Sequence, residues 1–184
     1  MKKFYGISIL LLGLVSSGYG QGLVFKGIGG GLGFIAASMD NGNGSSTSLS
    51  GFLLAAHADL GEIAKDISLI PDITYWGTKK NSLKLSDFGV NANAHYNIVA
   101  RGPFKPYVGA GLGYNSLRSE LALGGVIAGG GTASSSVSRL GINLLAGGNY
   151  KLNEMWTFII EPRYVLASDF NHFAVKAGLT YALN

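Results

Sequence analysis

Cysteine is absent from the 184 residues, which excludes a disulfide framework, thiolate metal ligands and attachment through a lipidated cysteine. Charge is scarce too. Asp, Glu, Lys and Arg make up 13% of the chain, and the formal net charge of +4 is scattered along it. A nucleic-acid partner requires a gathered basic patch, so none is expected. After the first 20 residues no apolar run approaches the ~20 residues of a membrane-spanning helix. What the chain has in quantity is glycine, 29 residues, and hydrophobic side chains, 47%. That combination of little charge and no long apolar helix is not the composition of an ordinary soluble domain.

The N-terminus reads as an export signal. Lys2 and Lys3 precede the apolar run 7–15, and Ser16, Ser17, Gly18, Tyr19, Gly20 and Gln21 follow it. Gly18 and Gly20 suit the −3 and −1 positions of a cleavage site, which makes residues 1–20 a signal peptide and residues 21–184 a single mature domain. The competing reading, a retained membrane anchor, suffers from the shortness of the run.

From Gly22 onward the hydrophobic pattern has a period of two, interrupted by turn-forming clusters. Eight strands are expected, over 22–38, 49–60, 67–78, 83–99, 105–118, 137–151, 155–167 and 172–183. In residues 88–98 the even positions are apolar or aromatic and the odd positions are Gly, Asn or His; Phe173 to Leu183 repeats the alternation. Each strand therefore has one apolar and one polar face. The connections alternate in length: 61–66, 100–104 and 152–154 are short, 40–48 and 119–136 are long and rich in Gly, Ser or Asn, with Leu121, Leu123, Val126 and Ile127 of the latter able to extend the strands instead, and 79–82 and 168–171 are brief. Transmembrane barrels have short turns at one end and longer loops at the other.

A soluble barrel would alternate as well, with its apolar side chains inward. Two features favour the opposite orientation. Tyr96, Tyr107, Tyr150, Trp156 and Tyr181 cluster near the short turns, and Phe34, Tyr75, Tyr114, Tyr164 and Phe173 near the loops, in the manner of two interfacial girdles. In hydrocarbon, moreover, only a helix or a closed barrel leaves no peptide group unpaired. The expected fold is all-β: an eight-stranded antiparallel up-and-down transmembrane β-barrel. Pro71 and Pro162 each remove a ladder donor, so bulges or unpaired positions are expected there.

Three stretches resemble the small outer-membrane β-barrel domains of the OmpA/OmpX-like and opacity-porin-like group. Lys105-Pro106-Tyr107-Val108-Gly109-Ala110-Gly111-Leu112-Gly113-Tyr114 is similar to that group's Pro-Tyr-x-Gly-x-Gly-x-Gly strand. Residues 141–150 resemble its glycine-rich sixth strand, with Glu161-Pro162-Arg163-Tyr164 in the seventh. Lys176, Gly178, Tyr181 and Leu183 resemble a terminal insertion signal, with Leu183 and then Asn184 where the family pattern ends on an aromatic. The resemblance implies residence in the outer membrane of a Gram-negative-type bacterium, periplasmic termini, and outer-membrane lipid and the barrel assembly machinery as partners.

With the apolar face outward, the inward set comprises His57, Asp59, Asp72, Asp87, Asn91, Asn93, His95, Arg139, Asn143, Glu161, Arg163 and Lys176, while the facing of Lys26 stays open. Gly109, Gly111 and Gly113 share the inward parity and leave room for larger groups. An eight-stranded barrel is just wide enough for its own side chains. Glu161, Arg163 and Lys176, on adjacent strands, are expected to form one luminal charge network. Three functions stay open: a structural or surface-interaction barrel plugged by side chains, a narrow porin-like channel for ions or small solutes, and a lipid-modifying enzyme. The last is disfavoured, because His57 and His95 face inward and His172, near Ser168 and Asp169, lacks a nucleophile-base spacing. No cofactor or metal site is expected: the glycines at 27–33 precede no helix, and the three histidines are far apart.

The terminal signal generates a test. Replacing Tyr181 and Leu183 together by Asp should keep the chain out of the outer membrane, measured by membrane fractionation. Interfacial charges cost a barrel only about 0–1 kcal/mol, so a severe defect points to lost recognition, and normal levels would show that this signal is not used.

Overall fold

The computed structural model describes residues 24–40, 46–80, 83–123, 131–167 and 170–183. The expected signal peptide, residues 1–20, and Asn184 lie outside them. Nine strands form one antiparallel sheet: β1 (Gly27–Asp40), β2 (Ser46–Asp59), β3 (Glu62–Ala64), β4 (Ile67–Lys80), β5 (Leu83–Asn97), β6 (Phe104–Leu123), β7 (Gly131–Lys151), β8 (Trp156–Ala167) and β9 (Phe170–Ala182). Sequential neighbours pair except β2 and β3, β1 pairs β9, and β2 pairs β4, which closes the ring. Apart from the three-residue β3, a flap on β4, the barrel has the eight strands that the alternation of polarity predicts.

Side-chain direction follows the period of two. Ile28, Leu32, Phe34, Phe52, Leu54, Ile73, Val108, Leu112, Leu140, Ile142 and Val175 are exposed on the outer wall. The polar residues of inward parity are enclosed, among them Asn93 and Asn143 with no exposed surface. Strand β1, whose face the glycine run obscures, presents Ile28, Leu32 and Phe34 outward, and Lys26 is exposed just before it.

Three turns lie at the end shared with the termini. Gly61 takes a positive φ of 79° after Asp59, whose Oδ1 accepts the Gly61 N–H at 2.8 Å. Asn153 Oδ1 accepts the N–H groups of Met155 (2.9 Å) and Trp156 (2.8 Å), which fixes the reversal into β8.

Two expectations are corrected. The segment 119–136 is not one long loop: β6 continues to Leu123, β7 begins at Gly131, and Ser119 through Leu123 pair with Ser135 through Gly131. Serine and glycine compose poorly as strand formers, but a ladder already running on β5 and β6 supplies hydrogen bonds that outweigh their weak propensity. Tyr107 does not belong to an interfacial girdle, since its ring points into the lumen at 2% exposure. The other proposed girdle residues, Tyr96, Tyr150, Trp156, Phe34, Tyr75, Tyr114, Tyr164 and Phe173, are exposed on the outer wall, and Tyr181 packs edge-on against Trp156 at 5.1 Å.

The prolines sit where pairing lapses. The β2–β4 ladder ends at His57↔Asp72, one step before Pro71. The β7–β8 ladder omits the positions opposite Glu161 and Pro162 and resumes in the same register, so the break is a gap without a bulge.

The mature chain should refold in detergent micelles to a β-rich circular-dichroism spectrum and migrate differently on gels before and after boiling, because the sheet closes on itself into a ring. A helical spectrum, or a soluble monomer without detergent, would refute this.

Candidate functional site in the barrel lumen

The lumen is divided into layers. At the loop end, Ile35, Ala37, Leu49, Leu53, Trp76, Leu85, Leu117, Phe170 and Ala174 form a buried apolar cluster inside the barrel. Trp76 stacks on Phe170 at 5.8 Å, and His172 packs against both rings. Trp76 Nε1 donates to Asp87 Oδ2 at 3.2 Å, satisfying the one polar atom of the indole.

Below this cluster lies a charge network. Asp72 on β4 and Arg163 on β8 form a two-pronged ion pair, with Arg163 Nη1 to Asp72 Oδ1 at 3.2 Å and a shorter contact between Nη2 and Oδ2. The strand order places β4 and β8 four positions apart in either direction around the ring, so this pair spans the lumen. Glu161 Oε1 accepts from Arg163 Nε (3.2 Å) and Nη2 (2.8 Å) and lies 3.0 Å from Lys176 Nζ. Lys176 also reaches Asp72 Oδ2 at 3.5 Å. Glu161, Arg163 and Lys176 are thus in mutual contact, and two carboxylates balance two cations. Every carboxylate oxygen is occupied: Asp72 additionally accepts from Asn91 Nδ2 (2.6 Å) and Asn93 Nδ2 (3.1 Å), and Glu161 Oε2 accepts from the Tyr107 hydroxyl (2.8 Å). Complete pairing of this kind is what allows charge to persist away from water.

Amides extend the network, since Asn143 Nδ2 donates to Asn91 Oδ1 and Asn93 Oδ1, each at 2.9 Å. Glycine makes the room. A Cβ on Gly147 would stand 2.5 Å from the Tyr107 hydroxyl, and one on Gly113 would collide with Asn91 Oδ1. His95 stacks on Tyr107 at 4.3 Å, while its Nε2 stands 3.8 Å from Glu161, too far for a hydrogen bond.

Toward the turn end a cavity of about 230 Å³ is lined by His57, Asp59, His95, Lys105, Tyr107, Lys151, Glu161, Lys176 and Thr180, among others. His57 Nε2 lies 2.8 Å from Thr180 Oγ1. Among the described residues no group of His, Asp and Glu is arranged to hold a metal ion.

The residues of the expected terminal signal are divided between the faces. Lys176 is inward and buried, and Tyr181 and Leu183 lie on the outer side. Gly178 sits where β9 passes β1 so closely that a Cβ would come within 2.7 Å of the Gly31 Cα. Ser168 and Asp169 lie outside the described residues, and His172 faces inward. Sequence reasoning left out Asp72 as the partner of the cations, although its inward parity was readable, and it left out Tyr107 and Trp76 as luminal residues. For Tyr107 the odd position, opposite to Val108 and Ala110, was the available signal.

Asp72→Asn should lower unfolding free energy in micelles by about 3–5 kcal/mol, less where the lumen is hydrated, because Arg163 keeps its charge without its main partner. Adding Arg163→Gln should restore part of the loss, and the coupling is read from denaturant midpoints. Strictly additive losses would show that the two residues act independently.

The barrel geometry recurs in solved structures. Neisserial surface protein A is 21% identical with a TM-score of 0.64, over 85% of this chain and 97% of that one. OprG from Pseudomonas aeruginosa is 18% identical with a TM-score of 0.55, over 89% and 99%. Ail, the attachment invasion locus protein of Yersinia pestis, is 14% identical with a TM-score of 0.54, over 87% and 100%. The sequence matches no curated protein. A family model described as outer membrane protein beta-barrel domain matches residues 7–182, and the chain belongs to that family of outer-membrane barrels.

Proposed function

We propose that this outer-membrane barrel is non-conducting and serves a structural or surface-interaction role, with its termini and short turns in the periplasm. The observation that carries the reading is the Asp72–Arg163 pair across the lumen, joined by Glu161 and Lys176 and backed by the apolar cluster around Trp76. A permeating ion would have to break the paired luminal charges and then cross an apolar layer, and each step is costly. Outer-membrane lipid surrounds the wall, and the barrel assembly machinery reads the last strand through Tyr181 and Leu183. A catalytic role finds no support in His172, whose ring packs inward against Trp76 and Phe170 instead of serving a rim nucleophile.

A second reading, a narrow channel for ions or small solutes, is favoured by one observation: the turn-end cavity reaches as far as Glu161 and Lys176. Planar-bilayer recordings separate the two. The wild type should show no conductance steps, and Glu161→Gln should reduce stability without opening the barrel. Steps in the wild type that turn anion-selective in Glu161→Gln, with stability unchanged, would establish the channel instead.

A further inference from the structure

We propose that the outer wall formed by the loop-end halves of β4 to β7 binds the phosphorylated headgroup of an outer-leaflet glycolipid through Lys79, Lys84 and Arg118. This rests on the reading that the loop end faces the cell exterior.

Strand register brings the charges together. Lys79 stands directly opposite Lys84, Lys84 opposite Glu120, and Arg118 one step lower opposite Ser86. All share the outward parity of Tyr75, Phe88 and Tyr114. One carboxylate lies among three cations and contacts two of them: Glu120 is 2.9 Å from Arg118 Nε and 3.6 Å from Lys84 Nζ. Two positive charges are left over, and like charges directly opposite on neighbouring strands destabilise a sheet unless an anion joins them. The Lys84 and Arg118 side chains are each 60% exposed, so they are available to such an anion. Exposed Ser134 and Ser136, paired with Glu120 and Arg118, add hydroxyl donors and acceptors beside the cations. Cations for phosphate and hydroxyls for sugar together fit a phosphosugar.

Height on the barrel identifies the source as lipid. On β5 the outward aromatics Tyr96 and Phe88 are eight residues apart, or roughly 21 Å along the membrane normal at ~3.4 Å per residue and a tilt of ~40°. Lys84 is four residues beyond Phe88, roughly 10 Å above the aromatic girdle by the same geometry, which is headgroup depth. Directly beneath the charges are Tyr75, Phe88, Tyr114 and Leu140, a surface for acyl chains. The feature is confined to one side. Among the described side chains, the outward loop-end positions of β1, β2, β8 and β9, such as Ala36, Ser38, Ser50, Leu166 and Asn171, carry no charge.

The test uses the full mature chain refolded in micelles and titrated with bisphosphorylated lipid A, with phosphate-free lipid A, and with sodium phosphate as competitor, read by native mass spectrometry. The wild type should prefer the phosphorylated lipid at least tenfold. Lys79→Gln/Lys84→Gln/Arg118→Gln should lose at least tenfold in its affinity, while Lys105→Gln/Lys151→Gln, at the opposite end, should not. Equal binding of the two lipids by the wild type overturns the site whether or not the triple variant folds. Unchanged binding by a triple variant that keeps its heat-dependent gel shift also overturns it. Displacement by inorganic phosphate at matched concentration would make it a free-anion site and overturn the lipid assignment. Orientation is measured separately with an impermeant maleimide on intact cells, since the chain has no cysteine of its own. Ser135→Cys, exposed on the loop-end part of β7, should label, and Arg101→Cys only after permeabilisation. The reverse pattern overturns the outer-leaflet assignment, whereas failure in micelles overturns the site and leaves the orientation standing.

Discussion

A peptide group in hydrocarbon must find its hydrogen-bond partner within the protein, and the rest of this molecule is arranged around that requirement. An open sheet of eight strands would leave two unpaired edges in lipid. Pairing of β2 with β4 removes them. Closure also explains why the chain can do without cysteine: removing one strand from a closed ladder disrupts both neighbours, so cooperativity substitutes for cross-links. The two mid-strand prolines are tolerated because each falls where one ladder has already lapsed, and the other neighbouring ladder runs past it unbroken, Pro71 opposite Ala92 and Pro162 opposite Val175.

Closure into so small a ring leaves an interior that side chains nearly fill. A wholly apolar interior would pack, yet it would make the two faces of every strand alike. A one-residue slip in register exchanges those faces. With Asp72, Glu161, Arg163 and Lys176 inside, such a slip would expose charge to lipid, at roughly 2–4 kcal/mol for each Lys or Arg near the bilayer midplane. The luminal network therefore acts against misregistered closure as well as filling space. Glycine completes the arrangement, since Tyr107 can reach Glu161 only because Gly147 has no side chain in its path.

The eight strands, their alternating faces and the inward set were legible in the sequence because each is a local property, fixed by a period of two within ten or so residues. Luminal partnership was not. Parity assigns Asp72 and Arg163 to the interior, but their meeting depends on β4 and β8 lying opposite each other, which strand count and stagger decide together. Tyr107 was misassigned where a residue-type argument, aromatics at strand ends, was preferred to parity, although parity alone gave the answer. The apolar cluster was hidden for a related reason. Ile35, Trp76 and Phe170 have the composition of lipid-facing residues, and their inward direction emerges only when their strands are phased from the polar half.

The barrel wall is also unequal in height. Strands β6 and β7 have 20 and 21 residues, whereas β8 and β9 have 12 and 13. Pairing of β7 with β8 stops at Gly141↔Ala167, so residues 131–140 of β7 have no strand partner on that side among the described residues. An unpaired edge in hydrocarbon would violate the constraint that governs the rest of the barrel. This edge avoids the violation by composition: residues 133–138 are exposed and mostly serine, which places the segment in water or among headgroups, where solvent completes the hydrogen bonds. The same serines deprive the edge of the apolar strip that would invite uncontrolled strand addition. The tall side of the barrel can therefore rise beyond the bilayer without becoming an aggregation site, and it is on this side that the surface charge is gathered.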